Sequence, residues 1–130
     1  MRNKKNNIPS SKSLIKLIVK SMLNKKALDI KILYVDKLTS LTDVFIICTS
    51  NSGPQSKAIT NHIKDELEKN GIKPMHIEGY QQLKWVLMDY VGITINIFNQ
   101  EYREYYNIER LWADAKTETI KESIVVWEKI

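Results

Sequence analysis

Residues 44–48, VFIIC, are five consecutive apolar positions between two stretches of turn chemistry, KLTSLTD before them and SNSGPQ after them. The run is short for a helix and does not alternate. It reads as a central strand covered on both faces. A strand of that kind needs neighbours on either side and a packed layer above and below, so it sets the rest of the chain the task of supplying a sheet and helices.

The flanking segments supply them. Leu14, Ile15, Ile18, Val19 and Met22 recur at three- and four-residue steps, which predicts an amphipathic helix over 13–27 with its lysines off the stripe. A strand over 30–35 follows. It lies too close to the 44–48 strand for a helical crossover, so the two should pair antiparallel. After the loop at 50–55, Pro54 suits the start of a second helix, whose stripe is Ala58, Ile59, Ile63 and Leu67. Gly71 suits the left-handed residue that ends many helices. Strands are expected over 74–78, 85–90 and 93–98, then a short helix over 101–106. In the 85–90 strand Trp85, Leu87 and Asp89 share one face and Val86, Met88 and Tyr90 the other. The order α-β-β-α-β-β-β-α gives an α/β fold, a mixed five-stranded sheet with helices packed on it. Residues 1–13 read as a flexible basic leader, 14–115 as the folded domain, and 116–130 as a tail or short helix.

Charge is divided unevenly. Residues 1–29 hold eight lysines and arginines against one acid, Asp29, while the rest of the chain holds twelve bases against fourteen acids. A nucleic-acid binder spreads basic charge over its folded face, and this body is mildly acidic. It suits a basic protein partner at least as well, and no specific nucleic acid is expected. The single cysteine, Cys48, lies inside the apolar run and reads as a buried small residue. With no internal disulfide possible, a reducing compartment is favoured. No apolar run approaches the length of a membrane helix, so no membrane partner is expected. The acid-free leader could alternatively be an organelle transit peptide, although Arg2 is its only arginine.

Catalytic chemistry is hard to assemble from this sequence. His62 and His76 stand fourteen residues apart with one cysteine in the chain, which makes no metal motif. The loop 50–56 precedes a helix and faintly resembles the phosphate-binding turn of nucleotidyltransferases. Those enzymes need paired carboxylates on an adjacent strand, and Asp89 stands alone on its strand. There is no GxSxG elbow. No catalytic residue, metal or cofactor is therefore expected. Aromatic and acidic residues together stand out instead: Tyr80, Trp85 and Tyr90, then Tyr102, Tyr105, Tyr106 and Trp112 among Glu101, Glu104 and Glu109. Trp and Tyr dominate protein interfaces because they bury much area at small entropic cost. Trp85 reads as an interface residue; Trp112 stays open between interface and core.

The segments DIKILYVDKLTSLTDVFIICTSNSGPQSKAI (29–59), GIKPMHIEGY (71–80), WVLMDY (85–90) and YYNIERLWADA (105–115) together resemble the ribosomal silencing factor, or Iojap, family. The resemblance covers residues 14–115 and leaves the leader and tail outside. It implies a nucleotidyltransferase-like fold without the catalytic carboxylates, hence no enzyme. It also implies binding to the large ribosomal subunit through its ribosomal protein fourteen, which blocks joining of the small subunit and represses translation, and a homodimer off the ribosome. The contact residues it implies are Trp85, Asp89, Tyr106, Glu109, Leu111 and Trp112. Two positions depart from the family habit: Val91–Gly92 where Gly-Asp is common, and Asn96 where His is common. A cytoplasmic protein is expected, with mitochondrion or plastid as the alternative if the leader is a transit peptide. The competing functions are a nucleotide-binding or nucleotidyltransferase enzyme on the same fold, and an RNA-binding assembly factor using the Lys-rich first helix.

Overall fold

The computed structural model describes residues 10–121. Its elements are α1 (Ser11–Asn24), β1 (Leu28–Tyr34), β2 (Val44–Ser50), α2 (Gly53–Glu68), β3 (His76–Glu78), β4 (Trp85–Tyr90), β5 (Ile93–Asn99), α3 (Gln100–Tyr106), α4 (Ile108–Leu111) and β6 (Lys116–Thr119). The strands make one mixed sheet in the order β3-β4-β5-β2-β1-β6. β2 is central, and all but one of its residues are buried. β1 pairs with it antiparallel and β5 parallel. The antiparallel pairing expected of the first two strands is therefore present. The strand that returns beside β2 in parallel is β5, and β3 and β4 extend the sheet antiparallel beyond it.

Two expectations need correcting. Among the described residues the sheet has six strands rather than five, because Lys116–Thr119 pairs antiparallel with β1 instead of forming a tail or helix. KTET carries no apolar alternation and all four residues are exposed, so no side-chain pattern marks the strand. Its backbone hydrogen bonds to β1 define it. The rest of the expected terminal segment, and most of the leader, lie outside the described residues. The second correction is that residues 107–115 contain a further short helix, α4.

Alternation assigns the two faces. Ile30 and Ile32 of β1, Val44, Ile46 and Cys48 of β2, Val86, Met88 and Tyr90 of β4 and Ile93, Ile95 and Ile97 of β5 pack with Ile18, Val19 and Met22 of α1 and Ile59, Ile63 and Leu67 of α2. The helices form where sequence chemistry allows. The Ser10 hydroxyl accepts from the Ser13 N–H and the Ser52 hydroxyl from the Gln55 N–H, each at 3.2 Å, which satisfies an otherwise orphaned donor at each helix start. The opposite face is covered less. Leu33, Val35, Ile47 and Phe98 are buried there under Phe45, Trp85, Tyr102, Ile108, Trp112 and Ala115. Among the described residues, the two short helices α3 and α4 and the chain up to Ala115 shield it.

Candidate functional site

The thinly covered face is where five of the six expected contact residues converge. β4 alternates strictly between partly exposed and buried positions, which puts Trp85, Leu87 and Asp89 on this face and Val86, Met88 and Tyr90 in the main core, as the sequence predicts. The Trp85 ring stacks on Phe98 at 4.8 Å between centroids and meets Tyr106 at 5.1 Å. Its indole N–H donates to the Asn96 side-chain oxygen at 3.0 Å. Trp85 is thus both part of the packing and part of the surface.

Register carries the site across the sheet. Asp89 pairs with Thr94, and Thr94 pairs with Phe45. The Thr94 hydroxyl donates to the Asp89 carboxylate at 3.3 Å, and Trp112 tilts over Phe45 at 5.5 Å. Asp89 and Trp112 therefore lie in one line across β4, β5 and β2, although 23 positions separate them in sequence. Leu111 is 75% exposed and Tyr106 46% exposed. Large apolar side chains held out on ordered elements are the kind of surface that marks protein partners.

Glu109 does not join this outward set. Its carboxylate receives two hydrogen bonds from Arg103, 3.0 Å from Nε and 3.3 Å from Nη2, and lies 3.3 Å from Lys31 Nζ. Burial by itself raises the Glu109 carboxyl, but the hydrogen bonds and charge of Arg103, then those of Lys31, outweigh it and hold it below the ordinary carboxylate value. Sequence reading missed Arg103 altogether. The partners stand six apart, which fits no pairing on a continuous helix. The left-handed Asn107 (φ 43°, ψ 54°) between α3 and α4 turns the chain and brings them together. Tyr105, 81% exposed, is also part of the surface. With Glu101, Tyr102, Glu104 and Tyr106 it lines an open groove of about 590 Å³ whose ionisable walls are acidic. The aromatic and acidic grouping in the sequence was its signal.

Among the described residues no three His, Cys, Asp or Glu side chains gather as a metal would require, and no helix is long and apolar enough to cross a membrane.

The family model described as "Ribosomal silencing factor during starvation" matches residues 8–128. The chain belongs to the ribosomal silencing factor family. It is 37% identical over 106 residues to the ribosomal silencing factor RsfS of Bacillus subtilis, spanning 82% of this chain and 90% of that one. It is 36% identical over 90 residues to the chloroplastic protein Iojap of Arabidopsis thaliana, spanning 69% of this chain and 37% of that one. A crystal structure of a Chromobacterium violaceum protein superposes with a TM-score of 0.79 at 30% identity, covering 88% of this chain and 96% of that one. One from Bacillus halodurans gives 0.73 at 32% identity, covering 86% and 100%. Family membership gives the sequence motifs structural reasons. In the Ile-Glu-Gly motif, Gly79 has φ +80° and lies against the backbone of Trp85, so a Cβ there would run into the Trp85 carbonyl oxygen. In the segment 105–115, Glu109 meets Arg103 from α3, and the pair ties the helices carrying Tyr106 and Leu111 to the sheet.

Proposed function

We propose that this ribosomal silencing factor family member is a non-enzymatic binding protein. It docks on the large ribosomal subunit through ribosomal protein fourteen and keeps the small subunit from joining, which represses translation. The observation that carries the reading is the ordered set on the lightly covered sheet face, in which Tyr106 and Leu111 are exposed and Trp85 and Trp112 are partly buried. Aromatic anchors surrounded by polar groups are what an interface centre needs. Asp89, Glu101 and Glu104 add carboxylates suited to a basic ribosomal protein. Glu109 contributes from behind, through Arg103.

Free of the ribosome, the protein is a homodimer that uses the same apolar face. It works in the cytoplasm. The plastid relatives make an organelle the alternative, which the mature N-terminus, read by mass spectrometry of the native protein, decides.

The test is subunit joining. Added to purified large subunits before small ones, the protein should lower the yield of joined ribosomes on sucrose gradients. It should co-sediment with large subunits and not with joined particles. Equal binding to joined particles would rule out occlusion. Steeply salt-dependent binding to naked ribosomal RNA would favour the assembly-factor role instead.

A further inference from the structure

We infer that Arg103 is the positioning residue of the contact surface: it clamps α3 and α4 onto the sheet and thereby sets the pose of Tyr106, Leu111 and Trp112. The inference rests on the reading of those residues as the contact surface.

The two helices cannot hold themselves. α3 has seven residues and α4 four, and neither contains a buried residue. Helices that short are not stable alone in water. The left-handed Asn107 between them sets a bend but holds nothing to the sheet. Their pose must come from tertiary contacts, and the partly buried Tyr102, Ile108 and Trp112 supply the apolar share.

Arg103 supplies the directional share. Its side chain is 11% exposed. Nε and Nη2 grip the Glu109 carboxylate as a fork, joining α3 to α4. Nη1 donates to the Thr49 hydroxyl at 2.8 Å and to the Asp29 carbonyl at 2.6 Å, joining both to β2 and β1. Lys31 of β1 closes the ring on Glu109. One guanidinium therefore ties together four elements. Asp29 sits at φ +50° beside the irregularity that separates the pairings of Leu28 and Lys31 with β2. That irregularity leaves a carbonyl of β1 free to meet Arg103. A buried cation is tolerated only when its donors are answered, and here they are answered from three separate segments. Lysine cannot reproduce this, because a single ammonium has neither the planar fork nor the span.

The test combines hydrogen exchange, affinity and a double-mutant cycle on the full chain. In Arg103→Ala, backbone exchange in peptides covering 100–111 should accelerate about tenfold or more while β2 and β5 keep their protection. Affinity for isolated large subunits should fall about tenfold. Leu111→Ala should then cost much less affinity in the Arg103→Ala background than in the native one, since a contact residue out of position contributes little. Arg103→Lys should lie between native and Arg103→Ala in exchange, and it decides the matter if the alanine variant does not fold. Unchanged exchange over 100–111 in both variants, or equal loss of protection throughout the sheet, would overturn the clamp. Local loosening with undiminished affinity would keep the clamp and overturn the contact surface. Additive losses for Arg103 and Leu111 would show Arg103 acting as a contact in its own right and overturn the positioning role.

Discussion

Replacing Trp85 with alanine removes three things at once. The Asn96 oxygen loses its donor, and Asn96 is 1% exposed with its Nδ2 already lacking a partner among the described residues. A buried amide left unanswered costs about 1–3 kcal/mol. The ring contacts with Phe98 and Tyr106 go too, at about 0.5–1.5 kcal/mol each. Phe98, fully buried in the native protein, loses its cover. Against these, the site opens to solvent, so water can enter and satisfy Asn96 instead of leaving an empty cavity. The expected loss is about 2–3 kcal/mol, below the 3–5 kcal/mol or so of a core tryptophan. For a domain of this size that lowers the melting temperature by about 10 °C. Trp85→Phe keeps part of the stacking while losing the N–H and one of the two fused rings, so its loss should be smaller, about 1–2 kcal/mol. Urea titration and co-sedimentation with large subunits on the same samples read both roles. Trp85→Ala should also weaken binding at least about tenfold, equivalent to 1.4 kcal/mol. An unchanged urea midpoint in Trp85→Ala would refute the packing argument. Unchanged affinity in a folded sample would refute the contact role.

Three further outcomes follow from the structure. Gly79→Ala should destabilise by more than about 2 kcal/mol, because it adds a clash with the Trp85 carbonyl to left-handed strain; Gly71→Ala, at φ +77° with nothing within 4 Å, should cost only about 1 kcal/mol by thermal melting. The Cys48 thiol is fully buried and pushed up to about 12 by that burial, with Arg103 pulling the other way, so it should resist alkylation at pH 8 until denaturant unfolds the protein. Glu109 titrates below its ordinary value in the folded state, so its contribution is present at neutral pH and lost as pH falls through that depressed value. Glu109→Gln should therefore cost stability at pH 7, and its urea midpoint should approach the native one below about pH 4; a constant difference down to pH 3 would count against the ion pair.

Local pattern determined most of the architecture. The unbroken apolar run at Val44 made β2 central, because only a strand buried on both faces can afford no polar position. Alternation in β4 put Trp85 and Asp89 on one face and Met88 on the other, since side-chain direction along a strand has period two whatever surrounds it. The apolar stripes at Ile18 and Ile59 chose the covered face for α1 and α2. What sequence could not decide were the features made by atoms far apart in the chain. β6 is held by backbone pairing with β1, and backbone groups carry no residue signature. The Arg103–Glu109 pair exists because Asn107 adopts left-handed geometry, and the bond from Arg103 to the Asp29 carbonyl exists because β1 is irregular there. Trp85 is partly buried, packed on Phe98 and met by Tyr106 where α3 returns across the sheet. Periodicity assigns a face to a residue; how much of that face is covered depends on where the chain comes back, and only the folded molecule decides that.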